Sequence, residues 1–427
     1  MQEAVQQAAR CLVLSALALA GFGCRDAAQE TNRLDSGADS PTSSTTDSAG
    51  VKIVRISDLQ DLDLPELNRR LLHSTLADLE LYRVTGAVFL TDSLLAVANA
   101  GSSQVLLLDQ QGSLLERRGR QGEGPGEYVD IAWIGVDAEG TLTVFDDRLR
   151  RITFLDAAGS ATGVRRVEVT EALVPLVGLA SGEFLAVVET RPFRPLGLQR
   201  GPLFLVLIDD AGAVVDTLGR WAGKQRHVTP DRMIEVGFAA TALYAGRGRH
   251  AAIATTDSLD VTLYESSTPL TRIRGGHSPR RVTSGEKEAW TELVLDLYPE
   301  AVRPAQRRTL EQSTVRDTYP AFGALKVAAD GAIWIGGYAD LDDAERNWTV
   351  LRRDGVPLGR LSLPVYRPEL LKVRETGVSG WAPVELETTI PSASHELLDV
   401  AADRIAVLRT SELGEEFVEV YAIDLPR

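Results

Sequence analysis

Ten residues, GRQGEGPGEY (119–128), hold four glycines, one proline, two glutamates and an arginine. Glycine-rich loops cradle phosphate when their backbone N–H groups converge, but that use needs a Gly-Lys-Ser/Thr run leading into a helix. Here the loop carries Glu123 and Glu127 and leads into IAWIGV, a strand-like run. Phosphate is therefore not expected, and two readings stay open. One is a sharp, sterically crowded corner, for which glycine and Pro125 are suited. The other is a binding element of Arg120, Glu123, Gly124, Glu127 and Tyr128, with the two carboxylates accepting from a cationic or hydroxylated ligand.

A second set of oxygens sits at the ends of apolar runs: Asn99, Asp146 and Glu189, with Thr255, Gly337 and Arg409 at matching positions further on. If the first three share one face of the fold, they could hold a hard cation such as Ca²⁺, which prefers oxygen ligands. The competing reading is that Asn and Asp start the turn that follows. Zinc is not expected. The five histidines (73, 227, 250, 277, 395) lack paired ligand spacing. No G-x-S-x-G nucleophile elbow is present either.

What positions these residues is a repeat. LLAVANAGSSQVLLLDQQGSLLERRG (94–119) can be laid over stretches at 142–169, 184–219, 251–275, 333–363 and 404–424. Each has an apolar strand, a polar connection, a second apolar strand and a tight turn, with a further strand upstream. D-x-x-G turns fall at 109–112, 156–159 and 209–212; Asp bonds the backbone ahead and Gly accepts positive φ. Runs such as VLLLD and LFLVLID are apolar at consecutive positions, so both faces must be covered. Sheets stacked around an axis satisfy that demand. The expected fold is an all-β, six-bladed propeller of four-stranded antiparallel blades, about 60 residues per blade with insertions.

The last copy lacks a fourth strand, and VKIVRI (Val51–Ile56) is an orphan at the other end. Pairing the two would close the ring and hide two sheet edges. The linking stretch LPELNRRLLHSTLADLEL is expected to include a short helix. In such a meander, connections after the second and fourth strands emerge on one face. That face takes the long insertions: 119–130, 190–201, 220–236, the stretch around KEAWTELVLDLYPEAV between blades 4 and 5, and 365–395. In the fourth of these, Trp290, Leu293 and Leu297 fall at helical spacing, which gives a helix lying over the central channel or packed on the rim.

GRQGEGPGEY, VFDDRLRRITFLDAAG and YPAFGALKVAADGAIWIGG together resemble the six-bladed, NHL/TolB-like β-propeller lipoproteins of bacterial envelopes. The resemblance implies a fold and an envelope location, and no catalytic residues. Related lactonase-type and NHL-lyase propellers place a metal in the axial channel, which would make a metal-dependent hydrolase or lyase the alternative function.

The N-terminus fits export. LVLSALALAGF (12–22) is too short to span a bilayer, which takes roughly 20 residues, and it reads as a signal h-region. It ends at LAGFGC, where Cys24 is the expected lipidation site. The expected plan is a signal peptide at 1–23, a tether at 24–50, poor in large apolar groups, and the propeller at 51–427. The other cysteine, Cys11, lies in the signal, so the body has no disulfide. A net charge of −15 over 427 residues opposes binding to nucleic acid or anionic membrane surfaces. The leading expectation is a monomeric, lipid-anchored, non-catalytic binding module for a protein, peptide or glycan.

Overall fold

Strands that are apolar at every position become the inner sheets, and strands that alternate become the rim. The computed structural model describes residues 43–48, 50–156, 161–179, 182–190, 196–229, 233–296, 298–311, 315–339, 343, 345–365, 397–411 and 415–426. The signal segment, Cys24, most of the tether and nearly all of 365–395 lie outside the described residues. Three N-terminal strands come first: β1 (Ser43–Ser48), β2 (Val51–Ile56) and β3 (Arg69–Ser74).

Blade 1 is β4 (Val84–Thr91), β5 (Leu94–Asn99), β6 (Gln104–Leu108) and β7 (Leu114–Arg118). Blade 2 is β8 (Ile131–Val136), β9 (Leu142–Asp146), β10 (Arg151–Leu155) and β11 (Ala161–Arg166). Blade 3 is β12 (Ala172–Gly178), β13 (Phe184–Glu189), β14 (Gly197–Ile208) and β15 (Val214–Val228), with β16 (Met233–Glu235) added. Blade 4 is β17 (Ala242–Arg247), β18 (His250–Thr255), β19 (Leu259–Glu265) and β20 (Thr268–Gly275). Blade 5 is β21 (Ala324–Val327), β22 (Ile333–Gly336), β23 (Glu345–Leu351) and β24 (Pro357–Pro364). Blade 6 is β25 (Leu397–Val400), β26 (Arg404–Thr410) and β27 (Glu416–Ile423), completed by β3. Every residue of β9 is buried, whereas β7 and β11 bury alternate residues only in part.

Six apolar clusters hold the ring, one between each pair of consecutive blades and one joining blade 6 to blade 1. In the last of these, Leu408, Val418 and Val420 pack with Leu95, Val97 and Leu106. An N-terminal strand closes the ring, but it is β3 and not VKIVRI. β3 runs antiparallel to β27, and Thr75 continues the join, its N–H donating to the Val418 carbonyl at 3.0 Å. VKIVRI is β2, and it pairs parallel to β20 at the edge of blade 4. It is held there because Val54 and Ile56 enter the core between blades 4 and 5. RRLLHS is thus a strand, and the linking segment's only helical pieces among the described residues are 3-10 turns at Leu59–Asp61 and Ala77–Leu79. Residues Ser43–Ser48, within the expected tether, form β1 on β2.

The short turns gather on one face. In the Asp209 turn, Oδ1 accepts from Ala211 N (3.0 Å) and Ala213 N (2.8 Å), and Gly212 closes the turn at φ +88°. On that same side the inner strands meet across the axis. Arg247 Nη2 donates to the Phe89 carbonyl at 2.7 Å, and Asp399 Oδ2 accepts from Phe89 N at 2.8 Å. Arg247 Nη1 lies 3.1 Å from Asp399 Oδ2, with both side chains buried. Blades 4 and 1 are opposite in a ring of six, so Arg247 spans the axis. Lys326 Nζ adds a bond to the Leu398 carbonyl at 3.2 Å. Burial lowers the Lys326 pKa to about 8, with Asp399 opposing the shift. Burial raises the Asp399 pKa, with Arg247 opposing.

Between blades 4 and 5 stand α1 (Ser284–Asp296) and α2 (Arg303–Glu311). Thr283 and Glu286 form a capping box: Thr283 N donates to Glu286 Oε2 (2.6 Å) and Glu286 N to Thr283 Oγ1 (3.2 Å). The helix buries Trp290, Val294 and Leu295, one step round from the expected Trp290–Leu293–Leu297 stripe. Those residues pack on Phe238, Leu310 and Tyr319; Leu297 lies outside the described residues.

Two stability measurements check this account. Asp209→Ala should cost about 1 kcal/mol, the worth of a lost backbone cap. Gly212→Ala should cost more, because a Cβ there would sit 1.9 Å from the Arg166 carbonyl oxygen in addition to the roughly 1–2 kcal/mol left-handed penalty; equal urea midpoints for the two would contradict it. Arg247→Met should destabilise by about 3–5 kcal/mol at pH 7 by leaving Asp399 buried without its cation. A carboxyl with a raised folded pKa contributes most below its unfolded pKa, and that contribution is lost as pH rises through the folded value. The deficit of Arg247→Met should therefore shrink at pH 4, and a deficit independent of pH would exclude Asp399 as its cause.

Candidate functional site

The glycine-rich loop is a corner tied by its own glutamate. Tyr128 N donates to the Arg120 carbonyl at 2.8 Å and Gly122 N to the Tyr128 carbonyl at 3.1 Å. Glu127 turns inward: Oε2 accepts from Gly124 N (2.8 Å) and Oε1 from Arg120 Nε (2.8 Å). Those bonds, the Gly124 N–H first, hold the Glu127 carboxyl below its ordinary pKa. Arg151 of β10 reaches up to the carbonyls of Glu123 (2.7 Å) and Glu127. Tyr128 is buried under Gly119, where a Cβ would fall 2.6 Å from the ring; burial pushes its phenol up to about 12. Of the five candidate residues, only Arg120 and Glu123 present exposed side chains.

Asn99, Asp146, Glu189 and Thr255 are the last residues of the second strands of blades 1 to 4, as the repeat predicts. The oxygens of Asn99, Asp146 and Glu189 face protein donors. Asn99 Oδ1 accepts from Tyr82 N (2.9 Å) and Asn99 Nδ2 donates to the Glu80 carbonyl (3.3 Å). Asp146 Oδ2 accepts from Val129 N (2.6 Å) and Asp130 N (3.1 Å), and Oδ1 from Leu149 N (2.8 Å). In blade 4 the device shifts by one residue, Thr241 N donating to Thr256 Oγ1 at 2.9 Å. Each group latches the chain entering the inner strand of its own blade. Glu189 instead pairs with Arg226 at 2.7 Å. Among the described residues, no group of three or more His, Cys, Asp or Glu could hold a metal ion.

Glu189 leads to a cluster that reading the sequence missed. β14 and β15 run on past blade 3 as a ribbon, so parts of 190–201 and 220–236 expected as loops are strand. The ribbon carries Arg200 and Arg226. Arg200 donates to the carbonyls of Gly223 (2.8 Å) and Ala222 (2.9 Å) and to Asp257 Oδ2 (2.6 Å). Gly223 packs against the Glu189 carboxylate, whose Oε1 pairs with Arg226. Asp257, in the turn after β18, also lies 3.7 Å from Arg316, which follows the helical insertion. Arg316 N donates to the Gly237 carbonyl (3.2 Å), next to Phe238. Phe238, Tyr319 and Tyr338 form a ring trio, with Tyr319 and Tyr338 edge to face at 5.3 Å. Segments of the insertion-bearing face thus meet here: Arg200, Asp257 and Arg316 form one ion-pair cluster, and the Arg226–Glu189 pair is joined to it through Gly223. The insertions were legible as positions; their meeting was not.

A family model, DUF5128, described as a 6-bladed beta-propeller, matches residues 74–178. No curated protein matches the sequence. Among solved structures, a member of the duf4221 family from Bacteroides vulgatus is 9% identical and covers 86% of this chain and 99% of its own, with a TM-score of 0.47. A protein from Bacteroides fragilis is 11% identical over 88% of this chain and all of its own, at 0.46. A gluconolactonase from Xanthomonas campestris is 12% identical over 86% of this chain and 96% of its own, at 0.30. At such values these likenesses say nothing of what this chain binds. With six sheets, each built on a four-stranded antiparallel blade, closed on one another, and a family model of that architecture matching its first blades, the chain is a six-bladed β-propeller.

Proposed function

We propose that the protein is an exported, lipid-anchored propeller that acts as a non-catalytic binding module for a protein, peptide or glycan. The observation that carries this reading is the asymmetry of its two faces. Among the described residues, the blade turns on one face are short, and Arg247 and Asp399 bridge the axis beneath it. The other gathers the 119–128 corner, the β14–β15 ribbon, the helical pair and the Arg200–Asp257–Arg316 cluster. Long connections on a rigid scaffold are the usual seat of recognition. Export and anchoring rest on the apolar run ending at Cys24.

Two experiments test the proposal. Mass spectrometry of the membrane-extracted protein should find an acyl-modified Cys24 at a new N-terminus; an unmodified terminus elsewhere removes the anchor. A photo-cross-linking residue placed at Arg120 or Tyr338 should capture envelope components in living cells, while one at Ser93 or Asp354, on the turn face, should not. Equal capture from both faces would remove the assignment of recognition to the insertion face.

A further inference from the structure

The inner strands of the blades face the axis with their middles and the two surfaces of the ring with their ends. In the middle of β21, Lys326 is part-exposed although its neighbours Leu325 and Val327 are buried. Water reaches a side chain at that place through the axis. Arg247 and Asp399, which bridge the axis on the turn side, are buried, so the way to Lys326 is from the insertion-bearing side. Arg247 and Asp399 pair at 3.1 Å and offset one another's charge. Asp399 also accepts from Phe89 N. The Lys326 ammonium is therefore a surplus charge within the ring. Among the described residues its one hydrogen bond is to the Leu398 carbonyl at 3.2 Å. An ammonium with donors to spare, out of bulk water, attracts an anionic oxygen strongly. The part-exposed residues on the adjoining inner strands include Leu243 of β17 and Leu398 of β25. A single charged group among apolar side chains is the usual make-up of a small-molecule site.

We propose that the axial channel binds a small monocarboxylate, with its carboxylate on the Lys326 ammonium and its hydrocarbon end toward Leu243 and Leu398. The surplus is one charge, which matches a monoanion better than a phosphate dianion, and the apolar neighbours favour a hydrocarbon end over a bare inorganic ion. The site lies inside the ring and does not depend on what the insertions recognise.

The purified full-length protein should be titrated calorimetrically with butyrate, with neutral butanol and with inorganic phosphate. The expected result is binding of butyrate alone. Burial lowers the Lys326 pKa to about 8, so the ammonium is lost between pH 7 and pH 9 and the butyrate affinity should fall about tenfold across that interval. A lysine at its ordinary pKa of about 10.4 would leave the affinity nearly constant there. Arg247 and Asp399 are the other charged groups that face Lys326. Lys326→Arg should keep butyrate binding and flatten its pH profile, which assigns the titration to Lys326. Lys326→Met should lower the affinity at pH 7 at least about tenfold, with the melting temperature reporting whether it folds. Absence of butyrate binding, a pH-independent affinity in the unaltered protein, or a pH profile retained in Lys326→Arg would each overturn the inference. So would phosphate binding more tightly than butyrate. If butyrate fails while insertion-face cross-linking persists, the inference falls and the binding-module reading stands.

Discussion

A small sheet that is apolar on both faces has no stable surface until each face is covered by another of its kind. That constraint governs this molecule. β5, β9, β13 and β18 are buried almost throughout, so each blade must sit between two neighbours. A finite stack would leave two such faces in water, and a ring leaves none. The apolar cluster joining blade 6 to blade 1 is therefore as necessary as the other five. Once the ring exists, strand direction sorts the blade connections, and those after the second and fourth strands leave on one face. The loop-rich face is a by-product of how apolar area is hidden.

Polar groups in such a frame serve mainly to fix where the chain turns. Asn99, Asp146 and Thr256 occupy matching places and receive backbone N–H groups from the segment entering the inner strand. Glu127 does the same within its own loop, accepting from Gly124. These are the residue types that hold metals elsewhere. Here the nearest unsatisfied donors are the protein's own amides, and leaving those unpaired in a buried position would cost about 1–3 kcal/mol each. A carboxylate on a crowded corner is thus first a structural acceptor.

The blade count, the position of the helical insertion and the face bearing the long connections were all readable in the sequence, because burial on both faces writes itself as unbroken apolar runs. The closing strand was misplaced for a related reason. VKIVRI looks like a strand anywhere, whereas RRLLHS, with two arginines and a histidine, does not. Yet β3 at the rim needs no buried face: none of its residues is buried, and Leu71 and Leu72 remain 50% and 40% exposed. The helical stripe was off by one residue because Val294 points to α2 and Phe238, partners that lie outside the helix's own periodicity. The Arg200–Asp257 pair joins residues 57 apart from different connections. No local pattern encodes such a meeting; it follows only from the ring.

Blade 6 takes three strands from the end of the chain and one from near its start. During synthesis, β3 emerges early and must wait, unpaired on one edge, for β27 to appear some 340 residues later. Five blades can assemble in order, but the circle has no last contact until β27 is available. Long-range pairing of this sort is slow to form. It also makes the fold all-or-none at its seam, so a chain halted before β27 would keep its first five blades and lack its circumference.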